Sequence, residues 1–168
     1  NVAPAFLGGF TLVRSTDPLD VISLPSPSEL YATVIHPQIE IKTTDSRRIL
    51  KSSLSLKDAI TQWGNVGGLV AGLYREDYEL IGRSLQDVVI EPVRSILIPG
   101  FNEIKEAALR AGALGCGISG SGPSVFALSR GAEKAHEVAK YLKDLYIPME
   151  IPFDIHVSNI NEKGVYPA

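Results

Sequence analysis

The residues best suited to chemistry in this 168-residue chain lie in one stretch, Gly115-Cys116-Gly117-Ile118-Ser119-Gly120-Ser121-Gly122-Pro123. Glycines without a Cβ let backbone amides approach an anion or take positive φ, and successive N–H groups can line a concave nest for phosphate. Ser119 and Ser121 would add hydroxyl donors, and Pro123 fixes the exit from the turn. No Lys-Ser/Thr pair follows the glycines, so the stretch is not a P-loop. The segment after it reads as a strand rather than a helix, so the dinucleotide fingerprint fails as well. Two readings stand: a turn that contacts phosphate, or a tight serine-capped hairpin with no ligand. Cys116 has no histidine or acid beside it in sequence and reads as a small buried filler rather than a nucleophile.

Arginine presents a rigid fork of donors that fits a carboxylate or a phosphate. Arg47 and Arg48 begin a short helix after Thr43-Thr44-Asp45, and Arg94 follows Glu91-Pro92-Val93. Arg94 is read either as a ligand-binding cation or as a structural one at the surface or in a salt bridge. Arg48 is read as a surface residue. His36, His136 and His156 follow no metal-ligand spacing, and no serine-histidine-acid set can be argued. No metal site and no catalytic side chain is therefore assigned. Asn1, in Asn1-Val2-Ala3-Pro4-Ala5-Phe6-Leu7-Gly8-Gly9, is either a ligand-facing amide or a turn residue.

These residues need a scaffold, and the composition supports one: 45% hydrophobic and 21% charged is ordinary globular chemistry. A compact chain of this length buries roughly two-thirds of its unfolded surface and needs no disulfide or metal. A net charge of −3 gives no bulk attraction for nucleic acid or anionic membrane. The single cysteine excludes an internal disulfide and suits a reducing, cytoplasmic compartment. No apolar run reaches the roughly 18 to 20 residues of a membrane span. The opening residues lack both a methionine and the basic start of a signal peptide, and they begin in mid-pattern. The chain is read as a fragment.

Along the chain, Phe10 to Arg14 and Val21 to Leu24 are expected as strands around a turn at Ser15–Pro18. Pro25 and Pro27 mark a linker, and Tyr31 to His36 is a third strand. Thr43 or Thr44 caps a short helix through Leu50. Ser55 caps a long one, on which Ile60, Trp63, Gly67, Val70 and Tyr74 recur at helical spacing. Its glycines point to close helix packing or to a bend near a ligand. Helices are also expected over Asp77 to Leu85, Asn102 to Ala111 and Ala132 to Tyr146. Strands are expected over Ala113 to Ile118, Ser124 to Leu128 and Phe153 to Val157. The order is that of an α+β sandwich with a helical layer on an antiparallel or mixed sheet.

Four motifs together resemble the homoserine kinase family, within the galactokinase, homoserine kinase, mevalonate kinase and phosphomevalonate kinase superfamily. They are Asn1–Ala5 with Gly8-Gly9, Ser46-Arg47-Arg48-Ile49-Leu50, Glu91-Pro92-Val93-Arg94 with Ile98-Pro99-Gly100, and Gly117–Pro123. The resemblance implies transfer of the ATP γ-phosphate to the hydroxyl of L-homoserine, giving O-phospho-L-homoserine on the route to threonine. It implies that Asn1, Arg47 and Arg94 bind substrate and that Gly117, Ser119, Gly120, Ser121 and Gly122 shape the active-site loop. It also implies a ferredoxin-like sandwich over residues 27–168, with residues 1–26 a remnant of the preceding domain and its linker.

The family's main phosphate loop, a proline-rich lead into glycine-leucine-glycine-serine-serine, does not occur in this sequence, nor do the family's Mg²⁺-binding residues. ATP and Mg²⁺ are thus expected in the full-length enzyme, with no cofactor tightly held by this chain. The isolated chain is expected to be inactive, its partners being L-homoserine, the missing amino-terminal half and, through surface that half would cover, a second copy as a homodimer. The alternative from a different class is a non-catalytic amino-acid-sensing or interaction domain with a purely structural glycine turn.

Overall fold

The computed structural model describes residues 2–165, apart from the side chains of Thr43, Asp45 and Arg47. It begins with α1 (Val2–Leu7), which the sequence reading missed. Pro4 falls in the first turn of that helix, where a missing N–H costs no internal hydrogen bond. Next come β1 (Phe10–Thr16) and β2 (Leu19–Leu24), paired antiparallel around Asp17-Pro18 as a separate two-stranded sheet.

The main sheet contains β3 (Leu30–Pro37), β4 (Gly115–Ile118), β5 (Val125–Arg130) and β6 (Phe153–Asn159), in spatial order β4-β5-β3-β6. All three pairings are antiparallel. With these strands renumbered from one, the order is 2-3-1-4, which is the ferredoxin-like arrangement of a split β-α-β. Between β3 and β4 run α2 (Thr43–Arg48), α3 (Leu56–Arg75), α4 (Tyr78–Ser84), α5 (Glu91–Arg94) and α6 (Phe101–Arg110). Between β5 and β6 lies α7 (Ala132–Tyr146).

Side-chain alternation decides how the layers meet. Ile35, Val125, Ala127 and Cys116 point to one face, against Ile104 and Ala108 of α6 and Val138, Leu142 and Tyr146 of α7. Burying each large apolar side chain here contributes about 1.5–3 kcal/mol. Within this layer the buried Thr33 hydroxyl donates to the Ala135 carbonyl at 2.9 Å, so the polar group is not left unpaired. Leu30 and Leu128 join Leu73 of α3 and Ile81 of α4 in a second cluster, so part of the sheet's other face is covered as well.

The long helix α3 packs by a face that its apolar periodicity does not mark. Ser55 caps it as expected, accepting from the Asp58 amide. Ile60 and Trp63 are, however, 56% and 66% exposed. The inward face combines Leu69 and Leu73 of the second core cluster with small and polar residues. Gly72 lets α4 approach so closely that a Cβ there would lie 2.9 Å from Ile81 Cγ1. Gln62 accepts from the Val88 amide at 3.0 Å, and Asn65 donates to the Gln86 carbonyl at 2.8 Å. Two satisfied polar contacts and a close glycine approach thus set the helix's orientation, leaving its apolar stripe outside.

Candidate functional site

The glycine turn links β4 to β5 and is held from inside. The Ser119 amide donates to the Ser124 carbonyl at 2.8 Å, and the Gly122 amide to the Ser119 carbonyl at 3.0 Å. Gly120 and Gly122 take φ of +61° and +80°, conformations that L side chains rarely adopt. At the exit, Ser124 Oγ lies 2.8 Å from His36 Nδ1 of β3. Among the described residues, the amides of Gly120 and Ser121 have no protein acceptor. Two donors side by side at the tip of a turn are what an anion nest requires.

Arg94 joins this turn to the rest of the site. It ends α5, and its guanidinium donates from Nη1 to the Gly120 carbonyl at 3.0 Å and from Nε to the Ser46 carbonyl at 3.2 Å. Ser46 is fully buried in α2. Three stretches far apart in sequence, 46–48, 91–94 and 117–123, therefore meet at one side chain. Two of the five guanidinium N–H donors are taken by these carbonyls, and Arg94 remains partly exposed. Arg47 follows Ser46 in α2, but its side chain is outside the described residues, as is the whole of Asn1. Arg48 is exposed. Gly117 lies within β4, with its missing Cβ leaving room for the Phe126 ring at 3.3 Å.

The segment that carries Arg94 is fixed at its other end. Asp87 accepts from the amides of Val89 and Ile90 at 2.8 Å each and from Glu91 at 3.2 Å, pinning the loop that leads into α5. Glu91 forms an ion pair with Lys105 of α6. Burial pushes the Glu91 carboxyl above its ordinary range, with Lys105 opposing the shift and Asp87 adding to it. Cys116, beside this pair, is 1% exposed, and burial pushes its thiol up to about 12. It fills space, as expected.

Sequence reasoning missed Asp87, Glu91 and Lys105. The signal for the first two was present: an acid placed ahead of Glu91-Pro92, at a helix start marked by proline. Nothing in the sequence pairs Glu91 with Lys105. A cleft of about 410 Å³ between α4, α6 and β4 contains none of the expected site residues. Among the described residues, no three His, Cys, Asp or Glu side chains lie together to hold a metal ion, and no helix is long and apolar enough to cross a membrane.

Comparison with known proteins converges on one group. The family described as GHMP kinases C terminal matches residues 69–147. Homoserine kinase of Chlorobium phaeovibrioides is 52% identical over 166 residues, covering 98% of this chain and 52% of the relative. Homoserine kinase of Chloroherpeton thalassium is 58% identical over 146 residues, covering 87% of this chain and 46% of the relative. A crystal structure of homoserine kinase from Cytophaga hutchinsonii superposes with a TM-score of 0.95 at 57% identity, over 98% of this chain and 52% of that one. The chain thus spans about half the length of the relatives it matches.

Proposed function

We propose that this chain, which matches the GHMP kinases C terminal family over residues 69–147 and homoserine kinases over about half their length, supplies the amino-acid-recognition half of a homoserine kinase site. The observation that carries this reading is the convergence on Arg94 of α2, α5 and the glycine turn. Its remaining N–H donors, with the Arg47 guanidinium, grip the substrate's carboxylate, a planar acceptor that a guanidinium meets in two parallel hydrogen bonds. The free amides of Gly120 and Ser121 offer fixed donors for negative charge on the transferring phosphoryl group. Asn1 contributes an amide to substrate binding, and Ser119 and Ser121 line the active-site loop. Residues 1–26 are assigned to the preceding domain and its linker, and residues 27–168 to this one.

ATP with Mg²⁺ supplies the phosphoryl group and the charge neutralisation that phosphoryl transfer depends on. Among the described residues no three His, Cys, Asp or Glu side chains lie together, and the sequence contains no glycine-leucine-glycine-serine-serine loop. Those parts belong to the other half of the full-length protein, which acts in the cytoplasm and can pair as a homodimer. The isolated chain does not turn over.

The test is Arg94→Lys in the full-length protein. A lysine keeps the charge but loses the fork, so KM for L-homoserine is expected to rise roughly tenfold or more while KM for ATP stays within about twofold. An unchanged KM for the amino acid would overturn the assignment of Arg94 to the substrate.

A further inference from the structure

The helix that bears Arg94 is a single turn of four residues. So short a helix does not hold its own shape in water, because nucleation costs more than one turn returns. Its direction must come from outside contacts. At its start, Asp87 fixes three amides. At its end, Arg94 spans the gap between Ser46 and Gly120. A third contact sits between them. The Glu91 side chain is 13% exposed and is ion-paired with Lys105, whose side chain is 24% exposed. Lys105 is on α6, a ten-residue helix packed in the main core through Phe101, Ile104, Ala107 and Ala108.

We propose that the Glu91–Lys105 ion pair is the positioning element for Arg94, tying the one-turn helix α5 to the rigid helix α6 so that the guanidinium reaches both α2 and the glycine turn. The inference rests on the reading of Arg94 as a substrate-facing cation. Two observations support it. The pair is largely shielded from water, and a shielded ion pair contributes little net stability but strongly penalises any geometry that separates its members. Gly117, a residue of the glycine motif, faces it: a Cβ there would lie 3.5 Å from Glu91 Oε2. The carboxylate is therefore seated against the strand that leads into the turn, so the same contact registers α5 against both α6 and β4. Lys105 is a positioning residue: among the described residues its ammonium bonds Glu91 and neither Arg94 nor the turn.

The test reads Arg94 directly. In the ¹⁵N-labelled chain, the Arg94 Nε–H signal, identified by its loss in Arg94→Lys, is expected to exchange slowly because it is donated to Ser46. In Lys105→Met that protection should fall by at least tenfold, and Lys105→Arg should restore it. Retention of full protection in Lys105→Met would overturn the proposal. Should that variant not fold, Glu91→Gln gives the same reading: loss of protection supports the proposal and retention overturns it.

In the full-length protein, Lys105→Met is expected to raise KM for L-homoserine about tenfold with kcat held within about twofold. An unchanged KM there, when Arg94→Lys does raise it, would also overturn the proposal. If Arg94→Lys leaves KM unchanged, the functional reading fails instead, and the Nε–H signal alone decides the positioning inference.

Discussion

Cys116 and Glu91 share a dry corner beneath the glycine turn, and burial acts on both in the same direction. Each holds its proton more tightly folded than unfolded, so each contributes stability that is complete at low pH and lost as pH rises. For Glu91 the window opens just above the ordinary carboxylate value. Unfolding free energy is expected to decline there with rising pH, and Glu91→Gln should flatten that slope in urea titrations taken across it. A slope of the opposite sign would contradict the burial argument. For Cys116 the loss begins near the ordinary thiol value of 9.0 and extends toward 12. At pH 8 the thiol should react with iodoacetamide at least tenfold more slowly than a free cysteine, following exposure by unfolding rather than simple access. A rate equal to the free thiol would place Cys116 outside the core. The burial of Cys116 was legible from the absence of acid or histidine near it. Glu91's partner was not, because Lys105 is reached through the fold rather than along the chain.

At the scale of elements, local chemistry was readable wherever a cap or a strict period set the limits. Ser55 began α3, Asp77 capped α4, and Ala132 to Tyr146 proved to be a helix over its whole expected length. Besides the one-turn helix α5, two features were not legible. The first, α1, lies among residues that also read as turn formers, and only its place on the hairpin and the distal tail selects the helix: the Val165 amide donates to the Ala5 carbonyl at 2.9 Å. The second is the orientation of α3, where apolar period and packing disagree because Gln62 and Asn65 satisfy backbone groups of the 86–88 loop.

A paired substitution separates the two faces of α3. At Gly67 an added Cβ meets nothing within 4 Å, so Gly67→Ala should stabilise by up to about 1 kcal/mol through helix propensity. At Gly72 the Cβ would fall 3.0 Å from the Ile81 amide nitrogen, so Gly72→Ala should destabilise by roughly 1–3 kcal/mol despite the same propensity gain. Thermal melts of the two variants check this. Equal shifts would mean that α3 does not pack as described.

At the scale of the molecule, the sandwich followed from the order of elements and its ferredoxin-like form was expected from the family resemblance, while the strand order and the positions of the exposed apolar surfaces came from the structure. The stripe of Leu56, Ile60 and Trp63 lies open, as does an apolar groove of about 500 Å³ between α1 and the hairpin, lined by Phe6, Leu7, Val13 and Leu19. The site itself has the same character. Arg94 and the glycine turn meet through tertiary contacts that no spacing rule encodes, whereas the residues that could grip a carboxylate were evident from type alone.

The proposed division of labour gives this chain recognition of the amino acid and leaves the apparatus of phosphoryl transfer to the rest of the full-length protein. It is tested most directly by following ADP release from Mg·ATP and L-homoserine, with the isolated chain and with the full-length protein side by side. Turnover in the usual enzyme range of about 1 to 1000 per second is expected for the full-length protein and none above background for the chain. Turnover in that range by the chain alone would contradict it.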